Sequence, residues 1–255
     1  MAVLSRLLFL CLLAALAGTL IGAEPVDLLL IAADDATLQP LLAKMDGAQR
    51  ETHAAWTFWT GKLAGKSVVL ARSEGDPLNA VAATTLAIRL HPPRLVAVYG
   101  SARAHDPTLQ PGDVVVSRAF AAIEGMISPV TAPEGGSKPL AWSKLAHPLM
   151  TAGERETYTD SFPADANAVA VALKLPPVRG RVVAGVLGSS NQVNREVDRI
   201  AWLRAQWQTS TEDGESAHVA GCAVLLGVPV VGFRVVAGTP AEAAAFALVF
   251  VEAWK

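Results

Sequence analysis

Short apolar runs alternate with longer helix-like stretches from residue 26 to residue 254, and that alternation restricts the chain to a layered α/β domain. Val26–Ala32 reads as a buried first strand, and Trp56–Leu63 followed by Ser67–Arg72 reads as an antiparallel pair. Asn79–Leu90 is Ala-rich and helical, stopped by His91-Pro92-Pro93. Leu95–Ser101 and Asp113–Ser117 are strands separated by a loop holding Pro107 and the Pro111-Gly112 turn, and Ser128–Pro139 is a Pro- and Gly-rich surface loop. Ala164–Leu175, Arg195–Trp207 and Ser216–Leu226 read as helices, Arg181–Leu187 and Val228–Ala237 as strands. Thr239-Pro240 supplies a cap and a first-position proline for a closing helix that runs to Trp254.

The first 23 residues stand apart from this pattern. Arg6, an apolar run from Leu7 to Ala17 and small residues up to Ala23 have the layout of a secretory signal peptide. The expectation is a removed segment 1–23, a domain spanning 24–255, and an exported protein, periplasmic or secreted. The alternative is an uncleaved anchor, for which Leu7–Ala23 falls short of the roughly 20 apolar residues of a span; a membrane contact is expected only in that case. Hydrophobic residues make up 52% of the chain and charged residues 17%, enough apolar material for one substantial core. Lys plus Arg number 21 against 23 Asp plus Glu, without a basic stripe, so a nucleic-acid partner is not expected. Cys11 leaves with the signal segment and Cys222, in an apolar helical run, reads as a buried inert thiol. The five His residues lack metal-ligand spacing, so neither a metal nor another cofactor is expected.

Several local sequences then coincide with one family. Arg72-Ser73-Glu74-Gly75-Asp76-Pro77-Leu78-Asn79-Ala80 resembles the Ser-Gly-x-Gly-x-x-Asn-Ala segment of nucleoside phosphorylases and of methylthioadenosine/S-adenosylhomocysteine nucleosidases. Tyr99-Gly100-Ser101-Ala102 and Leu109 to Ser117 resemble that family's Gly-Ser-Ala strand end and its Leu-x-x-Gly-Asp-Ile-Val-Val-Ser segment. Ser189-Ser190-Asn191-Gln192-Val193 is similar to Ser-Gly-Asp-Gln-Phe, and Asp213-Gly214-Glu215-Ser216-Ala217 to Glu-Met-Glu-Ala-Thr, with the strand from Val228 to Arg234 following. The order and spacing of these pieces cover nearly the whole chain after residue 23.

The resemblance implies a three-layer α/β/α fold with a central mixed twisted sheet, a nucleoside as small-molecule partner, and a homodimer. It also implies cleavage of an N-ribosidic bond through a ribosyl cation-like transition state, by water in the nucleosidases and by phosphate in the phosphorylases. Such chemistry needs a group on the nucleophile, a carboxylate near the sugar hydroxyls and an acid for the departing base. The implied substrate-binding set is Ser101, Asn191, Gln192, Val193, Asp213, Gly214 and Glu215, with Glu215 on the ribose and Gly214, in place of Met, widening the ribose pocket. Away from the resemblance, Glu215 also reads as a solvent-facing acid favoured by a helix N-terminus, and Asp213 as one more solvated acid in the run Glu212 to Glu215.

The other two roles are less directly filled. The family's water-activating Glu aligns with Thr37; Asp34 and Asp35 are the nearest carboxylates, and Asp35, as the candidate base, also reads as a helix cap. Arg103, where the family carries glycine, reads either as an anion contact or as a surface residue at the entrance. The family's purine-protonating Asp is replaced by Gly238, with Glu242 one helical turn on, and its base-stacking Phe by Val193. The Arg that phosphate-using members place two residues before the Gly-Ser-Ala glycine is Val98, which favours water, while Arg72 and Arg103 keep phosphate open. Two functions follow as expectations: a nucleosidase acting on a purine or 5′-substituted purine nucleoside in nucleoside catabolism, with Glu215 and Asp35 catalytic, or a non-catalytic nucleoside-binding or sensing protein that has lost the acid.

Overall fold

The computed structural model describes residues 25–151 and 155–255; the signal segment expected at 1–23 lies outside them. Among these described residues fourteen strands and six α-helices follow in chain order. They are β1 (Val26–Ala32), α1 (Asp35–Leu42), β2 (Asp46–His53), β3 (Trp56–Leu63), β4 (Lys66–Arg72), α2 (Pro77–Leu90), β5 (Pro93–Ala104) and β6 (Val114–Ala122). There follow β7 (Met126–Ile127), β8 (Ser143–Lys144), β9 (His147–Thr151), β10 (Arg155–Thr159), β11 (Phe162–Pro163), α3 (Ala166–Ala172) and β12 (Val182–Ser189). The chain closes with α4 (Val197–Trp207), β13 (Thr209–Asp213), α5 (Ser216–Leu225), β14 (Val230–Val236) and α6 (Pro240–Ala253).

Ten strands form one mixed sheet. β1 lies between β4 and β5 with both pairings parallel, and β3 and β2 extend this wing antiparallel. Beyond β5 the pairings β5–β14, β14–β6, β6–β12, β12–β13 and β13–β5 return to their starting strand, so five strands close into a ring. Two short hairpins, β7 with β8 and β9 with β10, stand outside the sheet.

The central strands are apolar on both faces because both faces are covered. On β1, Leu28, Leu30 and Ala32 join the same cluster as Leu38 and Leu41 of α1 and Phe246, Phe250 and Val251 of α6. The alternate residues Leu29 and Ile31 join Ala80, Ala87 and Ile88 of α2 and Ala217, Val219 and Ala220 of α5 on the opposite side. β4 and β5 divide their residues in the same way, giving the three layers the resemblance implied. α4 packs Leu203 and Trp207 on a smaller cluster with Ala121, Ile123 and Val186.

Helix starts follow local chemistry. Asp34, Asp76, Asp165 and Thr239 each accept a hydrogen bond from the first turn of the helix they precede. Thr239 and Glu242 form a reciprocal capping box behind Pro240. Two strands run through stretches without apolar alternation. β2 is a mostly exposed edge strand of sequence DGAQRETH, and β13 is a largely buried strand of sequence TSTED. Among the described residues no helix is long and apolar enough to cross a membrane, and no group of His, Cys, Asp or Glu is arranged to hold a metal ion.

Candidate active site

Parallel strands bring their carboxyl ends to one edge of a sheet, where ligand crevices form in open α/β folds. Here β4, β12 and β14 end on Arg72, Ser189 and Val236, β5 carries Ser101 shortly before its end at Ala104, and β13 ends on Asp213 beside β12. A cavity of about 450 Å³ opens there, lined by residues that include Gly75, Ser101, Arg103, Asn191, Gln192, Val193, Glu212, Asp213, Gly214 and Ala237. The structure gathers Ser101, Asn191, Gln192, Val193, Asp213 and Gly214 around one space, with Arg103 among them, while Glu215, expected in the same set, does not line it.

Beneath this cavity lies a buried charge cluster. Arg234 donates through Nε to Asp213 Oδ2 at 2.9 Å and through Nη2 to Glu215 Oε1 at 2.7 Å. The side chains of Arg234 and Glu215 are 1% and 3% exposed. Burial alone would neutralise such groups, so each charge must be met by others. Asp213 also accepts from Ser189 Oγ, from the backbone N–H groups of Glu215 and Ser216, and from Ser216 Oγ. Burial pushes the Asp213 carboxyl up, but the Arg234 guanidinium and these donors outweigh it and hold the group below its ordinary range. Burial pushes Glu215 up as well, and the neighbouring carboxylates of Asp213 and Asp34 add to that push. Arg234 only partly offsets it, so Glu215 stays above its ordinary value.

Glycines make room for this packing. A Cβ on Gly100 would lie 2.2 Å from Arg234 Nη1, so the guanidinium occupies the space of the missing side chain. A Cβ on Gly214 would lie 2.1 Å from the carbonyl oxygen of Gly75. That corrects the expectation of a wider ribose pocket: the volume freed at Gly214 is filled by the backbone of the loop after β4.

Glu215 and Asp213 are not solvated acids. Glu215 Oε2 points toward Gly75, 3.9 Å from where a Cβ would stand, and makes no hydrogen bond with another described residue. Asp35 takes a different place from the one expected of a base. Asp34, not Asp35, caps α1, by accepting from the Thr37 N–H at 2.8 Å. Asp35 does not line the cavity; it pairs with Arg72 at 2.7 Å, and Arg72 also pairs with Glu74. Thr37 is buried, its carbonyl accepting from the Tyr99 hydroxyl. Glu242 is spent on its capping box and on Arg179. Val98 is fully buried in the core and offers nothing to a phosphate.

A second buried network was not singled out from sequence. Glu212, opposite Arg103 in the β13–β5 pairing, accepts from the Asn194 backbone N–H at Oε1 and from Asn194 Nδ2 at Oε2. His105 Nε2 lies 2.6 Å from Glu212 Oε2, and His105 Nδ1 lies 2.8 Å from Thr209 Oγ1. Burial pushes Glu212 up, but His105 and Asn194 more than offset it, leaving the carboxyl below its usual range. The available signal was strand alternation, which turns Glu212 to the face opposite Asp213 once Thr209–Asp213 is taken as a strand.

Two losses of stability test these networks. Arg234→Met leaves two buried carboxylates without their cation and is expected to cost about 3–5 kcal/mol by urea denaturation at pH 7. Glu212 titrates lower in the folded than in the unfolded chain. Its contribution is therefore complete above the ordinary carboxylate range, about pH 4–5, and is lost as pH falls through the lowered folded value. Glu212→Gln is expected to cost about 1–3 kcal/mol at pH 7, with the gap to the parent closing as the same denaturation is repeated below that range.

The sequence profile described as the phosphorylase superfamily matches residues 27–253. The 5′-methylthioadenosine/S-adenosylhomocysteine nucleosidase of Marinomonas sp. (strain MWYL1) is 40% identical over 88 residues, 34% of this chain and 38% of that protein. The nucleosidase of the same name from Pseudoalteromonas translucida (strain TAC 125) is 40% identical over 88 residues, 34% of this chain and 37% of that protein. These alignments thus span little more than a third of either relative. Among solved structures, the Neisseria meningitidis nucleosidase in complex with methylthio-immucillin-A superposes with a TM-score of 0.72 at 20% identity, over 89% of this chain and 98% of that one. A futalosine hydrolase mutant of Helicobacter pylori gives 0.70 at 18% identity, over 89% and 99%. At these identities the superpositions establish the shared fold.

Proposed function

The chain belongs to the phosphorylase superfamily, and from that premise we propose that it is an N-ribosyl hydrolase that binds a nucleoside in the cavity at the strand ends and cleaves its N-glycosidic bond with water. The observation that carries the reading is Glu215. A carboxylate fixed through Oε1 by Arg234 and free at Oε2, beside the cavity, suits acceptance of hydrogen bonds from vicinal sugar hydroxyls. As the C1′–N bond lengthens, positive charge grows on the sugar, and a fixed negative group in a dry site stabilises it without reorganising. The relatives' names point the same way, toward nucleosides of the 5′-substituted purine class.

Water is favoured over phosphate as nucleophile because Val98 is a core residue and Arg72 is already paired with Asp35 and Glu74. On the water side Asp35 is taken up by Arg72, which leaves Asp34, with only Oδ1 used in capping α1, as the nearest carboxylate, although neither lines the cavity. A second reading, a nucleoside-binding or sensing protein without catalysis, is favoured by one observation, the absence of an acid at Gly238. The proposal also includes export after removal of residues 1–23, and a homodimer, the latter supported by the exposed Val81 of α2 beside Leu225 and Leu226 at the end of α5.

A nucleosidase releases free base from a nucleoside at a rate indifferent to phosphate. Glu215→Gln keeps an acceptor for Arg234, which retains Asp213 as its counter-charge, so the variant is expected to stay folded by circular dichroism while its kcat falls about 100-fold or more, as followed by chromatography of the released base. Saturable nucleoside binding without any release would instead establish the sensing reading. Intact mass of the exported protein, expected to correspond to a chain beginning at Glu24, checks removal of the leader.

A further inference from the structure

When a C1′–N bond breaks, both electrons stay on the nitrogen heterocycle, which must be met either by a proton or by a positive charge. The cavity's own groups decide between them. Its two lining carboxylates are Glu212 and Asp213. The first is saturated by Asn194 and His105, the second by Ser189, Ser216, Arg234 and the backbone of Glu215. Both sit below the ordinary carboxylate range, and Glu215, the one carboxyl held above it, is fixed by Arg234 on the sugar side in the reading given above. Position 238 is closed to an acid by packing: a Cβ there would lie 2.4 Å from Cγ1 and 2.6 Å from Cβ of Val235. Val235 is a β-branched residue 1% exposed in the core, so it has nowhere to swing. Glu242 is held outside the cavity by Arg179 and its cap.

The cavity does hold a cation. Arg103 is the one positively charged side chain among its lining residues, and it makes no ion pair with any described residue. Its Nη1 donates to the carbonyl of Asn194 at 3.3 Å, which sets the guanidinium beside the Asn191–Val193 segment that forms the same wall. A guanidinium has five donors and no acceptor, so it matches exocyclic carbonyl oxygens and ring-nitrogen anions and has no complement for an exocyclic amine.

Building on the nucleosidase reading, we propose that Arg103 receives the leaving group as an anion, and that the substrates are N-ribosides of acidic, oxo-substituted heterocycles in preference to adenosine-type nucleosides. The C1′–N bond breaks heterolytically with both electrons going to the heterocycle. A water oxygen bonds to C1′ and loses one proton to the water-side carboxylate or to solvent. The heterocycle leaves as its anion, its charge spread over ring nitrogen and exocyclic carbonyl oxygens against Arg103, and takes a proton from bulk water after release. No group of the protein is consumed, and no acid at position 238 is needed.

The test uses the full chain and initial rates of base release from xanthosine, uridine, inosine and adenosine, for the parent, Arg103→Ala and Arg103→Lys. Arg103 is exposed, so both variants are expected to fold, and circular dichroism checks it. The parent is expected to cleave faster as the base becomes more acidic, with adenosine slowest. Arg103→Ala should lower kcat/KM for xanthosine about 100-fold, mostly in kcat, and lower it for adenosine by a clearly smaller factor, with Arg103→Lys recovering part of the loss. Fastest cleavage of adenosine, or an equal loss on all four substrates in Arg103→Ala, overturns the assignment while leaving the nucleosidase intact. Absence of release from any riboside by the parent overturns the nucleosidase reading itself, and this inference with it.

Discussion

A guanidinium and two carboxylates enclosed together, out of reach of water, are the constraint around which the rest of this structure is organised. Arg234 can be buried only if Asp213 and Glu215 are brought to it, and those carboxylates can be buried only with Arg234 and a set of neutral donors present. The requirement reaches well beyond three residues. Strand β14 must end in register with β5 so that Gly100 leaves space for the guanidinium. The end of β12 must supply Ser189, and α5 must begin where the Glu215 and Ser216 amides face Asp213. The cavity walls are what remains once those elements are pinned.

The ring of strands and the wing of strands divide the labour. The wing, β1 with β4, β3 and β2, is anchored by helices on both faces, and its central strands carry no polar residue that points at chemistry. The ring carries nearly all of the site, from Ser101 and Arg103 on β5 to Glu212 and Asp213 on β13 and Arg234 on β14. Closure matters here because β13, made of Thr, Ser, Glu and Asp, has little hydrophobic reason to be inside. Its backbone is satisfied on both sides by β12 and β5, which lets a polar strand be buried and offer alternate side chains to two separate networks.

Where residues revealed the fold, they did so through strands buried on both faces, which read as unbroken apolar runs, and through Pro, Gly and Asp at helix ends. β1, β4, the core of β5 and β14 were legible on that basis, as was the capping of α6. β13 was missed because its burial is sustained by ion pairs and hydrogen bonds, which leave no apolar period to read, and β2 because an exposed edge strand needs none. The family resemblance located most of the residues that share the cavity but not their states. It gave no sign that Glu212 is shared between His105 and Asn194, or that the space beside Gly214 belongs to the Gly75 carbonyl. Asp34 and Asp35 differ by one position in the chain, and only the turn of α1 decides which one caps and which one faces Arg72.

The contact between Gly238 and Val235 also has a historical side. A side chain at 238 becomes tolerable only after residue 235 shrinks, and shrinking residue 235 first removes core volume with nothing gained at the site. Each step toward an acid at this position is therefore disadvantageous alone, and only the pair is viable. Positions 235 and 238 are thus tied to one another through the core, whereas Arg103 and the Asn191–Val193 segment, exposed at the cavity rim, answer to no such packing constraint.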